Sequence, residues 1–140
     1  MSDGRKALFF DIDGTLLSEV NRNVPGSAKE ALDQARKNGH LVFINSGRTY
    51  CLIGSIKKLV QVDGYCCGCG TRIVAGDQVL FSAAIPHERG LEIKGIIQEY
   101  DLDGVLEGTE SCYFKKRDFP TSPGGENEGN HRTGRQLIAL

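Results

Sequence analysis

The sequence predicts an α/β protein built on part of a doubly wound parallel sheet. Two short apolar runs, Ala7–Phe10 and Leu41–Ile44, have strand length, and the segment between them repeats its apolar residues with helical period. Each run ends in a chemically loaded string: Asp11-Ile12-Asp13-Gly14-Thr15 after the first, Asn45-Ser46-Gly47-Arg48 after the second. Strand, helix and strand in alternation, with ligand-type residues at the strand ends, is the pattern of wound parallel sheets, whose ligands bind just outside the carboxyl ends of the strands.

Each element has its own signal. Lys6–Phe10 reads as a buried strand. Val24-Pro25-Gly26-Ser27 opens a helix, with proline near the first turn and Ser27 as a capping residue. Ala28, Ala31, Leu32 and Ala35 form its apolar face, and Lys37 and Gly39 mark its end. Leu41–Ile44 is the second strand. A second helix follows Arg48 with Leu52, Ile56, Leu59 and Val60 on one face, and Tyr65–Cys69 is a third strand. After Gly70, Arg72-Ile73-Val74 and Val79-Leu80-Phe81 read as a hairpin around Ala75–Gln78. His87–Tyr100 is a third helix, with Gly95 weakening it by roughly 1 kcal/mol relative to alanine. Val105–Glu107 and Ser111–Phe114 are short strands of a second unit. From Asp118 onward the chain is nearly devoid of apolar residues until its last five, so a disordered tail is expected over 118–140.

Composition bounds the function. The chain has 140 residues, 39% hydrophobic and 25% charged, enough for one ordinary domain. A net charge of −1 leaves no basic surplus for a nucleic-acid partner. Ala7–Phe10 is too short for a signal-peptide core or a membrane span. Five cysteines without the spacing of a disulfide framework point to a reducing, cytoplasmic setting.

The candidate chemistry begins with Asp11 and Asp13. Carboxylates at the end of a buried strand are costly to desolvate unless paired or bound to a metal. One such group can attack phosphorus as a nucleophile while its neighbour moves a proton. Oxygen donors of this kind suit Mg²⁺, and Gly14 allows a tight turn whose N–H approaches an anion. The competing reading is a solvated Asp-Gly turn. Ser46, Gly47 and Arg48 supply a hydroxyl, backbone N–H groups, a helix start and a guanidinium, together an anion site. Here the competing reading is an ordinary strand-to-helix turn.

Two further strings carry chemistry-bearing residues. Cys66-Cys67-Gly68-Cys69 contains a Cys-x-x-Cys that suits a metal or redox pair, but it has no second half, and buried cysteines commonly serve as small hydrophobes. Asp101-Leu102-Asp103-Gly104 repeats the letters of the first motif after a helix, where a terminating turn is expected.

On Phe9-Phe10-Asp11-Ile12-Asp13-Gly14-Thr15-Leu16-Leu17 and Ser46-Gly47-Arg48, the chain resembles the haloacid dehalogenase superfamily, and within it the Cof-type (subfamily IIB) phosphatases. Pro25, the Asn38-Gly39-His40 break and Asp63-Gly64-Tyr65 look like the same group. The resemblance covers about Lys6 to Phe114. It implies a nucleophilic Asp11, an acid/base Asp13, and Mg²⁺ held by the Asp11 carboxylate and the Asp13 backbone carbonyl. It also implies that Ser46, with the Gly14 and Gly47 backbone, binds the phosphoryl group of a small phosphorylated metabolite such as a sugar phosphate. Residues 1–84 are then the N-terminal part of the core including the hairpin, 85–117 a partial α/β cap, and 118–140 a disordered or out-of-frame tail.

The family's later phosphate-binding lysine and Gly-Asp motif have no counterpart. Gly76-Asp77 falls in the hairpin turn, and Lys57, Lys58, Lys115 and Lys116 read as solvated charges. The chain therefore reads as cut inside the cap, as a fragment or frameshift leaves it. Weak Mg²⁺ binding and low turnover are expected, with a phosphate-binding or regulatory fragment as the alternative function.

Overall fold

The computed structural model describes residues 4–114 and 137–139. Its core is a five-stranded mixed sheet in the order β1-β2-β3-β4-β5. β1 (Ala7–Phe10), β2 (Leu41–Asn45) and β3 (Gly64–Cys67) run parallel, with Phe10 opposite Ile44 and Asn45 opposite Cys66. The hairpin β4 (Arg72–Ala75) and β5 (Gln78–Ser82) continues the same sheet antiparallel through β3. This is the partial wound sheet that the alternating pattern predicts. The hairpin extends it because consecutive antiparallel strands need only a short turn.

Helix α1 (Gly26–Lys37) joins β1 to β2, and a 3₁₀ turn, Tyr50–Ile53, leads into α2 (Gly54–Leu59) before β3. Val42 and Ile44 of β2 pack with Leu32, Ile53, Ile56, Val60 and Cys67 in the core, along with Ile12 and Leu16 of the loop after β1. Each fully buried aliphatic side chain contributes about 1.5–3 kcal/mol. Among the described residues, the opposite sheet face is open. Phe9 is 56% exposed there and stacks on Phe43 at 5.1 Å. β1 is thus half-exposed rather than the buried strand expected from its apolar run.

Local details also depart from expectation. Pro25 is the residue preceding α1, so Ser27 lies inside the helix and caps nothing. Ala31 is exposed, and the packed face of α1 is Ala28, Leu32 and Ala35. The expected third strand stops at Cys67, and Gly68–Gly70 turn back toward β4. The second helix begins as the 3₁₀ turn, so Ser46-Gly47-Arg48 stands before a loop rather than at a regular helix start.

A second unit follows. Helix α3 (His87–Glu99) buries no residue, and β6 (Val105–Glu107) pairs antiparallel with β7 (Cys112–Phe114). Asp101, at positive φ, follows the helix end, as the terminating-turn reading of that string requires. Residues 137–139, placed in the expected disordered tail, form β8 (Leu137–Ala139), parallel to β7. Leu137, Ile138 and Ala139 belong to the one apolar cluster of the tail, and they meet the open edge of β7. The rest of the expected tail, with Lys115 and Lys116, lies outside the described residues.

Asp63 ties these layers together. Its carboxylate accepts from Arg36 Nε of α1 at 3.2 Å and from the Val42 N–H of β2 at 2.8 Å. Its own N–H donates to the Val42 carbonyl, and its carbonyl accepts from Gly76 in the hairpin turn. Asp63→Ala leaves the Val42 N–H and Arg36 without this partner and is expected to cost about 1–3 kcal/mol, measured by urea unfolding. Gly64 permits a close approach: a Cβ there stands 2.7 Å from Phe43 Cδ1 and nearer still to the Val74 carbonyl. Gly64→Ala is expected to lower stability by about 1–3 kcal/mol in the same assay, since a backbone oxygen in mid-sheet cannot yield.

Candidate active site

Parallel pairing brings the ends of β1 and β2 side by side, and the two loaded loops share one cleft of about 650 Å³. Asp11, Asp13, Ser46, Gly47 and Arg48 all line it. The loop after β1 is wound by its own backbone: Leu16 N–H donates to the Asp11 carbonyl and Leu17 N–H to the Ile12 carbonyl. Gly14 sits at φ +74°, a conformation that L side chains rarely adopt. Ile12 and Leu16, both buried, anchor this loop in the core, while Asp11 and Asp13, on either side of Ile12, are exposed.

The Ile12 N–H donates to Asp11 Oδ1 at 2.7 Å, which orients that carboxylate. Arg48 grips Asp13 with both arms: Nε donates to Oδ2 at 2.8 Å and Nη2 to Oδ1. Hydrogen bonding from Arg48, opposed by modest desolvation, holds the Asp13 carboxyl below the usual carboxylate range. Arg22, another residue lining the cleft, adds a smaller push in the same direction. The carboxylates are not buried, and the Asp13 side chain is 57% exposed. The desolvation argument from sequence therefore does not hold; charge pairing, rather than burial, marks this pair.

Ser46 is 5% exposed, and its Oγ accepts from the Arg48 N–H at 3.2 Å, leaving its own O–H free to donate. Its loop rests on the turn after β3: Gly68 N–H donates to the Arg48 carbonyl and Cys69 N–H to the Ser46 carbonyl. The Cys-x-x-Cys string is thus a support for the site loop. Cys69 is exposed in that turn, and Cys67 is in the core, where burial pushes its thiol up to about 11. No cluster of three His, Cys, Asp or Glu that could hold a metal occurs among the described residues.

Sequence reasoning missed Arg22, in the loop after β1, and Glu107, at the end of β6, which both line the cleft. Neither lies in a motif, and only the fold brings them in. Lys57, expected as a solvated charge, places its Nζ 3.3 Å from the centroid of the Tyr50 ring, a cation–π contact. Arg48, expected to contact phosphate, is engaged with Asp13 in this structure.

Residues 8–136 match the family described as haloacid dehalogenase-like hydrolase. A Bacillus subtilis (strain 168) protein named "Putative phosphatase YkrA" is 28% identical over 81% of this chain. Among solved structures, a hypothetical protein from Geobacillus kaustophilus HTA426 is 28% identical over 84% of this chain, with a TM-score of 0.75. The subclass IIB sugar phosphatase BT4131 is 30% identical over 81% of this chain, with a TM-score of 0.67. The chain spans 40% of the length of the curated relative and 45% of each of these two structures.

Removing the guanidinium frees Asp13 from the interaction that favours its charged form. In Arg48→Ala the carboxyl ¹³C titration of Asp13 is expected to move to higher pH than in the wild type. An unchanged midpoint would show that the pair does not form in solution.

Proposed function

We propose that this chain, which belongs to the haloacid dehalogenase-like hydrolase family, carries the nucleophile- and phosphate-bearing half of a phosphohydrolase centre for small phosphorylated metabolites. The observation behind this reading is the Arg48–Asp13 pair, which joins the two strand-end motifs over one cleft. The sugar phosphatase among the similar structures supports sugar phosphates as the substrate class. Residues 1–84 serve as the core half and 85–117 as the start of a cap, with Glu107 reaching the cleft from the cap side. The free cysteines among the described residues suit a reducing cytoplasm.

Asp11 Oδ2 attacks phosphorus as the ester P–O bond breaks, which forms an aspartyl-phosphate. Oδ1 stays held by the Ile12 N–H, which fixes the angle of attack. Asp13, protonated from solvent once phosphate has drawn Arg48 away from it, passes that proton to the departing oxygen and later takes one from the water that hydrolyses the aspartyl-phosphate. Ser46 O–H donates to a phosphoryl oxygen, and an incoming phosphate competes with Asp13 for Arg48. The donors fit Mg²⁺ by type: hard oxygens from the Asp11 carboxylate and, as the family resemblance implies, the Asp13 backbone carbonyl would hold it. When bound, Mg²⁺ neutralises charge on the transferring phosphoryl group. Two protein oxygens among the described residues make a weak site, for which low turnover is expected.

Inorganic phosphate added to ¹⁵N-labelled protein is expected to shift the amides of Gly14, Ser46, Gly47 and Arg48. Hydrolysis of p-nitrophenyl phosphate in Mg²⁺ is expected to be slow and to vanish in Asp11→Asn. Phosphate shifts without any turnover would assign the chain as a phosphate-binding fragment. Turnover unaffected by Asp11→Asn would sink the nucleophile assignment.

A further inference from the structure

The proposed chemistry uses no cysteine, yet the fold brings two of them together that are far apart in the chain. Cys51 lies in the 3₁₀ turn just after Ser46-Gly47-Arg48, and Cys112 opens β7, 61 residues later. Their Sγ atoms stand 3.6 Å apart. Thr49 Oγ1 bridges them, at 3.3 Å from Cys51 Sγ and 3.7 Å from Cys112 Sγ. Cys51 Sγ also donates to the Gly108 carbonyl, in the loop between β6 and β7, at 3.5 Å. A core loop and the hairpin of the second unit therefore meet on two thiols.

We propose that Cys51 and Cys112 are a modification site: a reversible disulfide, formed by exchange with a low-molecular-weight disulfide, that ties the β6–β7 hairpin to the loop of the phosphate motif. Thiols in van der Waals contact need to close by only roughly 1.5 Å to reach the bonded S–S distance. Cys51 is half-buried and reachable, whereas Cys112 is 1% exposed, which sets the order of events. The Cys51 thiolate attacks one sulfur of the oxidant, breaks its S–S bond and releases one thiolate. Cys112 then attacks the Cys51 sulfur of this mixed disulfide and expels the second thiolate. The two protons given up by Cys51 and Cys112 end on the two released thiolates, so one oxidant disulfide becomes two thiols. The Thr49 hydroxyl donates to whichever sulfur is anionic. Burial pushes the Cys112 thiol up, which keeps it from meeting the oxidant first; contact with the Cys51 sulfur offsets its smaller thiolate fraction in the second step.

The bond has a consequence for the cleft. Glu107 lines the cleft from the end of β6, and it is paired with Cys112 itself across the hairpin. Oxidation therefore pins a cleft-lining carboxylate through its cross-strand neighbour, while reduction leaves the hairpin held by non-covalent contacts alone.

The full 140-residue chain is incubated with oxidised glutathione, capped with N-ethylmaleimide and digested without reductant. Mass spectrometry is expected to find the Cys51 and Cys112 peptides joined, two hydrogens lighter than their sum and separated by dithiothreitol. Amide exchange over Val105–Phe114 is expected to slow in the oxidised protein. Cys112→Ser is expected to stall with glutathione on Cys51. Alkylation of both Cys51 and Cys112, disulfides confined to Cys66, Cys67 and Cys69, or unchanged exchange in the cross-linked protein would overturn the proposal. None of these readouts needs phosphatase activity, so failure of the catalytic reading and failure of this one are separate results.

Discussion

The parallel register between β1 and β2 is the constraint on which the rest of this molecule depends. With Phe10 opposite Ile44, the residues that follow each strand emerge level with one another, and Arg48 reaches Asp13 across 35 positions of sequence. A slip of one residue would turn Val42 and Ile44 out of the core and bring Phe43 in. Burial of Val42 and Ile44 against Leu32, Ile53 and Ile56 therefore holds the two cleft loops in line. The site inherits its geometry from packing several ångströms away from its chemistry.

Two supports stiffen that register. Asp63 links α1, β2 and the hairpin turn through one carboxylate and its own backbone. The turn after β3 carries the carbonyls of Ser46 and Arg48 on the N–H groups of Cys69 and Gly68. The second support acts on the Ser46–Arg48 loop from behind, while the Arg48–Asp13 pair closes it from the front; Asp63 acts at the start of β2. The other face of the sheet carries no such cover among the described residues. Phe9 and Phe43 stack in the open there, although parallel sheets ordinarily bury both faces. This uncovered face belongs to a chain that spans 45% of the similar solved structures.

Much of the fold was legible because its signals are local. Apolar runs of four or five residues, the spacing of Leu32 and Ala35, and the two-residue turn at Gly76-Asp77 each act over a few positions. The site was legible to the extent that its residues cluster after strands. Burial of the carboxylates was misjudged, because a strand's apolar letters do not reveal which of its faces another element covers. Ser27 was misplaced as a cap because propensity alone does not say where a helix begins, and Pro25 took that position. Residues 137–139 fall within the tail expected to be disordered, with apolar residues able at most to dock weakly, but an open strand edge accepts a further backbone through its hydrogen bonds.

Sequence by itself determined the alternation of elements, the two motifs and the family they belong to, since those depend on residue type at short spacing. Tertiary structure decided that Arg48 pairs with Asp13, that Lys57 sits over Tyr50, and that Arg22 and Glu107 join the cleft. It also decided that the paired cysteines are Cys51 and Cys112 rather than the Cys66 and Cys69 of the conspicuous string. The reason is physical: a periodic pattern encodes which face of an element is apolar, whereas contacts across 35 or 61 residues exist only once sheet register and loop path have been chosen by the packing of the whole.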